Sequence, residues 1–243
     1  MTKTILITGG SRGIGRATVR KAAAKGWSVA LSYVRDADAA NQAVAEAEAA
    51  GVRARAMQGD VAREEDVLRM FDDAERALGP LDGVVVNSGI VAPGSKLADM
   101  DAARLRRMFD VNVLGALLCA REAARRLKSG GSIVIVSSIA AKLGAPFEYV
   151  DYAASKGALD TLTIGLSKEL GPEGIRVNAV RPGLIETEIH ASGGRPDRAQ
   201  VLGATTPMGR AGSAEEVAET IVWLLGDASS YVTGSLVDVA GGR

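Results

Sequence analysis

Residues 4–15 read Thr-Ile-Leu-Ile-Thr-Gly-Gly-Ser-Arg-Gly-Ile-Gly, and this stretch decides the fold of the chain. Residues 4–7 have the apolar character of a short strand, and the glycine-rich turn after them opens a helical run that closes near Gly26. Glycines let a backbone approach a pyrophosphate closely, and the amides at a helix N-terminus favour its negative charge. A strand, a glycine turn and a helix in this order favour dinucleotide binding, although the spacing departs from G-x-G-x-x-G.

The next predicted strand, residues 28–31, indicates which dinucleotide the chain binds. It leads into Tyr33 and Arg35, where a dinucleotide fold meets the adenosine ribose. An acidic residue there accepts hydrogen bonds from a ribose 2′-hydroxyl, whereas an arginine accommodates a 2′-phosphate. Tyr33 and Arg35 replace the acid, and Arg12 in the glycine turn can reach the same phosphate, although either arginine could be a solvated surface residue. The sequence therefore favours NADP over NAD.

Helical and strand patterns alternate along the rest of the chain. Alanine-rich and amphipathic stretches predict helices, and short apolar runs predict buried strands that deliver polar residues at their ends. The apolar helix stripe over residues 105–117 is interrupted by Asn112, and an amide in that setting usually satisfies local backbone groups. Ser213 and Glu216 predict a capping box. The alternation predicts an α/β fold in one domain, residues 1–243, with strands at residues 53–57, 84–86, 133–136, 176–180 and 235–239.

Tyr152 and Lys156 carry a possible proton-transfer chemistry. Positions i and i+4 share a helix face, so the phenol and the ammonium lie side by side. A fixed ammonium favours the phenolate and lowers the pKa of a phenol from its ordinary value of about 10. Such a pair can move protons to and from a substrate hydroxyl, but on its own it could also be coincidence.

Composition narrows the class of protein. The chain has 29 basic and 29 acidic residues, so no overall charge draws it to nucleic acid or to an anionic membrane. Cys119 lies in an apolar run and predicts a buried helix residue. No apolar stretch approaches about 18 residues, and the start of the chain carries no cleavable apolar segment. We expect a cytoplasmic protein without a membrane or nucleic-acid partner.

Taken together, the motifs resemble those of the short-chain dehydrogenase/reductase family over essentially the whole chain. The resemblance rests on Thr8-Gly9-x3-Gly13-x-Gly15, Asp60, Asn112, Ser138, Tyr152-x3-Lys156 and Pro182-Gly183, which occur in the family's order and spacing. It implies a Rossmann-type doubly wound parallel sheet of about seven strands with helices on both faces. It also implies an NADP-dependent enzyme acting on a carbonyl or alcohol substrate, with no metal.

The resemblance assigns roles to individual residues. Tyr152 is expected to be the general acid in carbonyl reduction and the general base in alcohol oxidation, with Ser138 bonded to the same substrate oxygen. Lys156 is expected to lower the pKa of Tyr152 and to hold the nicotinamide ribose, and Asn112 to help position a water on the proton path. Asp60 is expected to bind the adenine amino group. The cofactor-binding residues expected are Gly9, Ser11, Arg12, Gly13, Ile14, Gly15, Tyr33, Arg35, Asp60, Val61, Asn87, Ser88, Gly89, Tyr152, Lys156, Pro182, Gly183, Ile185 and Thr187.

One motif departs from the family pattern. The strand end usually written Asn-Asn-Ala-Gly reads Val86-Asn87-Ser88-Gly89 here. Asn87 can still meet the adenosine side, but a hydrogen bond made by the first asparagine is lost at Val86. We expect this to affect local rigidity more than catalysis.

The substrate is less well specified. Within the family, the chain resembles both the bacterial oxoacyl-carrier-protein reductases and the sugar or polyol dehydrogenases. Carrier-protein reductases tend to place arginines where this chain has Ser129 and Glu173, which weakens the oxoacyl thioester alternative. The region from about residue 184 to 207 is predicted to be a mobile lid, and His190 a lid-surface residue. The pocket candidates are Pro93, Phe147, Tyr149 and His190.

Two further expectations concern class and assembly. Some dehydrogenase folds serve only as cofactor-binding sensors or scaffolds, but such proteins usually lose part of the catalytic set, which is complete here. Family members usually form tetramers through the helix containing Asn112 and the helix starting at Tyr152. We expect a homotetramer, with a dimer as the alternative.

Overall fold

The computed structural model describes residues 2–188, 193–195 and 197–243. In that part of the chain, strands and helices alternate as predicted. The strands are β1 (Thr4–Ile7), β2 (Ser28–Tyr33), β3 (Ala54–Gln58), β4 (Gly83–Val86), β5 (Ser132–Val136), β6 (Arg176–Pro182), β7 (Ile185–Glu186), β8 (Gly212–Ser213) and β9 (Leu236–Val239). The helices are α1 (Gly13–Ala24), α2 (Ala37–Ala49), α3 (Glu64–Leu78), α4 (Ala102–Phe109), α5 (Gly115–Arg126), α6 (Ala140–Leu143), α7 (Val150–Leu170), α8 (Arg198–Gly203) and α9 (Ala214–Leu225).

A seven-stranded sheet forms the centre, in the order β3-β2-β1-β4-β5-β6-β9, and every neighbouring pair is parallel. The chain leaves β1 toward β2 and β3, then returns to β4 on the other side of β1. This reversal is the topological switch point, where ligands of doubly wound sheets bind beyond the carboxyl ends of the strands. The predicted Rossmann-type fold is confirmed.

Two hydrophobic cores cover the two faces of the sheet. Successive side chains of a strand point to opposite faces, so Leu6 joins one core while Ile5 and Ile7 join the other. Helices α3, α5 and α7 contribute to the first core, and α1, α2 and α9 to the second. The sheet is thereby buried on both faces, so a ligand can reach it at the edge formed by the carboxyl ends of its strands.

Two local expectations can be compared with the structure. Ser213 and Glu216 form the predicted capping box at the start of α9, and Cys119 is fully buried, where burial raises the pKa of its thiol to about 12. The predicted helix stripe over residues 105–117 is only partly buried, because Phe109 and Leu117 are exposed. A π-helical turn at Asp110–Leu114 separates α4 from α5 and shifts the register of the stripe.

No helix in the described residues combines the length and the apolar character needed to cross a membrane.

Candidate active site

A cleft of about 910 Å³ opens at the carboxyl edge of the sheet, beside the switch point. It brings together residues that are far apart in the sequence, from the glycine turn after β1 to the turn after β6. Among the predicted catalytic and cofactor-binding residues, Asn112 is the one that does not line it. The predicted residues that do are Gly9, Ser11, Arg12, Gly13, Ile14, Gly15, Tyr33, Arg35, Asp60, Val61, Asn87, Ser88, Gly89, Ser138, Tyr152, Lys156, Pro182, Gly183, Ile185 and Thr187.

The glycine turn forms a cradle with no room for side chains. Gly9 and Gly13 have φ values of +65° and +53°, which favour glycine. A Cβ placed on Gly15 would overlap the carbonyl oxygen of Gly9. The N-terminus of α1 has no side-chain cap and no acidic residue in its first turn, so its amides face the cleft, with the Glu188 carboxylate close to Gly13. These features fit a bound pyrophosphate.

Two free cations stand beside this cradle. Arg12 and Arg35 are exposed, both line the cleft, and neither has a carboxylate within ion-pair distance among the described residues. Tyr33, at the end of β2, also lines the cleft and presents no negative charge. Guanidinium groups without an acidic partner remain available to a phosphate. This environment fits the 2′-phosphate of NADP.

Asn87 fastens the end of β4 to the glycine turn. Its side-chain amide donates to the carbonyl oxygens of Thr8 and Gly9, at 2.8 and 3.0 Å. The hydroxyl of Thr8 in turn accepts from the backbone N–H groups of Asn87 and Ser88, at 2.9 and 3.0 Å. Val86 is buried in the core. This junction is therefore cross-linked by four hydrogen bonds despite the valine that departs from the family pattern.

Asp60 is already engaged by the protein. One carboxylate oxygen lies 3.0 Å from Nη2 of Arg107, and the other accepts from the backbone N–H of Ala62 at 3.0 Å. Carboxylate oxygens have further lone pairs, so contact with an adenine amino group stays a prediction. Arg107, on α4, lines the same end of the cleft and was not identified from the sequence.

The catalytic candidates meet at the other end of the cleft. Tyr152 and Lys156 occupy successive turns of α7, and Nζ of Lys156 lies 5.6 Å from the centre of the Tyr152 ring. Nζ of Lys156 donates to the carbonyl oxygen of Val136 at 2.8 Å. Ser138, just beyond β5, lines the cleft beside Tyr152, and its hydroxyl acts to lower the pKa of the Tyr152 phenol. A phenol, a serine hydroxyl and an ammonium thus converge at one place. A substrate oxygen there could accept hydrogen bonds from the phenol and from the serine hydroxyl.

Comparisons with known proteins agree with this geometry. A family model described as Enoyl-(Acyl carrier protein) reductase matches residues 9–243. The chain is 50% identical, over 98% of both chains, to the uncharacterized oxidoreductase YgfF of Escherichia coli. It is 39% identical to the L-rhamnose 1-dehydrogenase (NAD(P)(+)) of Sphingomonas, covering 99% of this chain and 95% of that one. A short-chain dehydrogenase from Burkholderia cenocepacia, solved in complex with NADP, superposes with a TM-score of 0.92 at 35% identity, covering 99% and 97% of the two chains.

The chain belongs to the short-chain dehydrogenase/reductase family. It is an oxidoreductase of the kind that acts on alcohol or carbonyl substrates with a nicotinamide cofactor. Among the described residues, no group of three or more His, Cys, Asp or Glu side chains is placed to hold a metal ion.

Burial dominates the ionisation of the catalytic pair in this short-chain dehydrogenase. Desolvation around the hydroxyl raises the pKa of Tyr152, and the hydrogen bond from Ser138 opposes that effect. Desolvation also lowers the pKa of Lys156 to about 8, with Asp160 opposing it. In the protein by itself the pKa of Tyr152 is therefore raised, whereas Lys156 was expected to lower it. Around the phenol, the cost of burying the phenolate outweighs the stabilising effects.

Asn112 lies in the π-helical turn and is fully buried. Its side-chain oxygen accepts from the N–H of Ile90 at 2.8 Å, and its nitrogen donates to the Ile90 carbonyl oxygen at 2.9 Å and to Oγ of Ser155 at 3.1 Å. Ser155 also donates to the carbonyl oxygen of Tyr152 at 2.7 Å. The amide thus joins the segment after β4 to the catalytic helix, and the satisfaction of backbone groups anticipated for a buried asparagine is observed. A role in holding water stays a prediction.

The substrate end of the cleft is built from two facing segments. Tyr149 is buried, and its hydroxyl donates to the carbonyl oxygen of Gly193 at 3.3 Å. Arg198 packs its guanidinium 5.0 Å from the Tyr149 ring centre and places Nη1 2.7 Å from a carboxylate oxygen of Glu148. Nη1 is buried and makes this ion pair without a hydrogen-bond partner in the described residues. An aromatic wall and a guanidinium paired with Glu148 define this end.

The pocket candidates named from the sequence are only partly correct. Tyr149 lines the cleft, whereas Phe147 is 75% exposed and points away from it, and Pro93 is exposed as well. Phe147 follows a sharp turn in which Ala145 and Phe147 have φ values of +43° and +68°, and this turn carries the side chain outward. His190 lies outside the described residues.

Several residues that shape the site were missed by sequence reasoning. Ser32 accepts from the backbone N–H of Gly9 through its hydroxyl at 3.1 Å and from Gly10 through its carbonyl oxygen at 2.9 Å. Ser155, Glu148 and Arg198 carry no motif that would mark them. Each acts through a partner that is distant in sequence, and a single sequence gives no signal for such pairs.

Proposed function

We propose that this protein is an NADP(H)-dependent oxidoreductase that interconverts a secondary alcohol and a carbonyl compound, with Tyr152 as general acid and base. The observation that carries the proposal is the convergence of Tyr152, Ser138 and Lys156 at one end of the cleft whose other end is the glycine cradle. The nicotinamide supplies the hydride when bound. Binding, orientation and proton transfer are left to the chain.

In the direction of reduction, the hydroxyls of Tyr152 and Ser138 donate to the carbonyl oxygen of the substrate and polarise it. As negative charge develops on that oxygen, Tyr152 transfers its proton. The phenolate that remains is stabilised by the ammonium of Lys156, which is charged at neutral pH because its pKa is about 8. In the direction of oxidation the phenolate removes the proton from the alcohol. Lys156 is fixed for this role by its bond to the Val136 carbonyl.

The preference for NADP is part of the proposal. In the described part of the chain Arg12 and Arg35 have no ion-pair partner, both line the cleft beside the cradle, and Tyr33 stands where an acidic residue would oppose a 2′-phosphate. The relative from Burkholderia cenocepacia was solved with NADP, whereas the rhamnose dehydrogenase is named for both NAD and NADP. Charge-assisted hydrogen bonds to a phosphate favour NADP at this site.

We infer that the substrate is a small polar carbonyl or hydroxyl compound, of the sugar or polyol type, rather than a thioester on a carrier protein. Tyr149 provides an aromatic wall and the Glu148–Arg198 pair provides polar groups at the substrate end, and this combination suits a hydroxylated ring. Ser129 and Glu173 present no cation to an acidic carrier protein. The name of the rhamnose dehydrogenase supports the same class.

A turnover screen tests the function. Purified protein is mixed with NADPH and a panel of aldoses, ketoses, cyclic ketones and oxoacyl thioesters, and NADPH absorbance is followed, with the reverse panel of alcohols and NADP. We expect turnover of at least one sugar-like compound and none above background with the thioesters. NADPH binding without turnover on any compound would instead identify a cofactor sensor or scaffold.

We propose that the protein assembles as a homotetramer. Three apolar side chains are between 41% and 45% exposed: Leu114 on the π-helical turn, Leu117 on α5 and Ile164 on α7. On α7, Gly157 and Gly165 have open space where a side chain would stand, which lets another helix approach closely. Light scattering at micromolar concentration tests this, and Gly165→Arg should reduce the mass observed. A monomeric unmodified protein would contradict it.

A further inference from the structure

A chain of charged side chains lies behind the catalytic lysine. Asp160 follows Lys156 by one turn of α7, and its Oδ2 accepts from Nε of Arg181 at 3.0 Å and lies 2.8 Å from Nη2. Arg181 also reaches Asp238 of β9 at 3.4 Å, and Asp238 pairs with Lys142 of α6 at 2.8 Å. The chain therefore connects the helix that carries Lys156 to the strand that delivers Pro182 and to the helix after Ser138.

The two ends of this chain differ in burial. The side chains of Arg181 and Asp160 are 13% and 12% exposed, whereas those of Lys142 and Asp238 are 51% and 34% exposed. The inner pair is therefore screened much less by solvent than the outer pair. Oδ1 of Asp160 is buried and has no hydrogen-bond partner among the described residues.

Lys156 needs a nearby negative charge. Its ammonium is almost fully buried, and the hydrogen-bond partner found for it in the described residues is one carbonyl oxygen. Burial of an ammonium favours its neutral form, which could not stabilise a phenolate. Asp160 is on the same face of the helix, one turn away.

Other charged groups around α7 are paired with different partners or are exposed. On α4, Arg104 pairs with Asp151 at 2.8 Å, and on β6 Arg176 donates to carbonyl oxygens of α9. Asp110 of the π-helical turn is exposed. Among the described residues, Asp160 is the charged group that raises the pKa of Lys156. The remaining charged residues on elements packed against α7 are Lys142, Arg106, Arg107, Arg121, Glu122, Arg125, Arg126, Glu173 and Arg181.

We propose that Asp160, held in place by Arg181, is a positioning residue that keeps the buried Lys156 ammonium charged for the reaction. This rests on the proposed function, because the role of Lys156 is defined there. The two members of the pair act in opposite directions. Asp160 favours the charged lysine, and Arg181 weakens that effect by neutralising Asp160. A pair that only fixed α7 to β6 would not produce effects of opposite sign.

The test is a direct titration of Lys156 in the full-length protein, by NMR of the ¹³Cε groups of labelled lysine, with Lys156→Met to assign the signal. Asp160→Asn should lower the pKa of Lys156 by about one pH unit, and Arg181→Met should raise it. Asp160→Glu keeps the charge and should restore most of the original value. The matched control is Asp238→Asn, which breaks the outer pair and leaves Asp160 with Arg181, so the pKa should not move.

Equal pKa values in all four variants, or shifts of the same sign for Asp160→Asn and Arg181→Met, would overturn the proposal. If Asp160→Asn does not fold, Arg181→Met and Asp160→Glu decide, since both retain the carboxylate. The titration needs no turnover, so a failure of the proposed function is detected separately. Where turnover exists, Asp160→Asn should lower activity about fivefold near pH 8 and leave it nearly unchanged near pH 6.

Discussion

The cofactor end and the substrate end of the cleft are built by different means. At the cofactor end, backbone with positive φ is provided by Gly9 and Gly13, and the contacts are short hydrogen bonds between backbone and small side chains. At the substrate end, positive φ occurs at Ala145 and Phe147, where it is unfavourable for residues with a Cβ. That segment is held by the ion pair of Glu148 with Arg198.

The difference indicates that the two ends tolerate substitution to different degrees. A pyrophosphate needs bare backbone, and few side chains satisfy that need. A substrate end made of long side chains from two segments can change its ligand by changing one pair. We expect the variants below to separate the two ends.

The largest effect is expected at Tyr152, where the two ends meet. Tyr152→Phe keeps the ring and removes the transferable proton, so kcat should fall by roughly 10² or more. The affinity for NADPH should stay nearly unchanged. Steady-state kinetics with a substrate from the turnover screen, combined with NADPH fluorescence titration, measures both, and near-full activity would remove Tyr152 from its assigned role.

The next effect is expected in the cradle. Gly15→Ala places a methyl group against the Gly9 carbonyl oxygen, a backbone atom that cannot move away. Overpacking of this kind should lower the free energy of unfolding by about 3 kcal/mol and weaken NADPH binding. The control is Gly171→Ala, at a residue with φ of −53° and open space around it, which should change stability by less than about 0.5 kcal/mol. Equal stability of both variants in urea titrations would show that the cradle is not tightly packed.

The choice of cofactor should depend on the arginines of the same end. Two charge-assisted hydrogen bonds, reduced by screening, should give roughly 10- to 1000-fold preference for NADPH over NADH. Tyr33→Asp with Arg35→Ala should reverse most of it, whereas Arg76→Ala, at an exposed arginine on α3 outside the cleft, should not. Fluorescence titrations at low salt measure the ratio. Equal affinity of the unmodified protein for both cofactors would contradict the assignment.

The smallest effect is expected at the substrate end. Glu148→Gln removes the charge that faces Arg198, in a pair that is partly exposed, so about 1 kcal/mol or roughly a fivefold increase in KM is expected. NADPH affinity should not change. Arg195 approaches the same carboxylate only to 3.9 Å, and Arg195→Met should therefore have less effect. A loss of NADPH affinity as large as the change in KM would show that the two ends are not separate.

The cofactor end could be predicted from the sequence in some detail. Gly9, Gly13 and Gly15 follow a strand and precede a helix, and Tyr33 and Arg35 follow the next strand, so local order placed them at one edge of the sheet. The alternation of strands and helices likewise predicted a parallel doubly wound sheet, since parallel strands need crossover connections. Such features depend on residues that are close together in the chain, and a single sequence shows that local order directly.

Only the tertiary structure decided the features that join distant segments. The pairs of Asp160 with Arg181 and of Glu148 with Arg198 bring together residues from different elements, and nothing local in the sequence marks them. The direction of the Tyr152 pKa also depended on burial, which outweighs the charge that the sequence placed nearby. Phe147 pointed outward because of a backbone turn without glycine at that position. The sequence determined which chemistry is available, and long-range packing determined which side chains control it, because burial and ion pairing depend on what lies nearby in space.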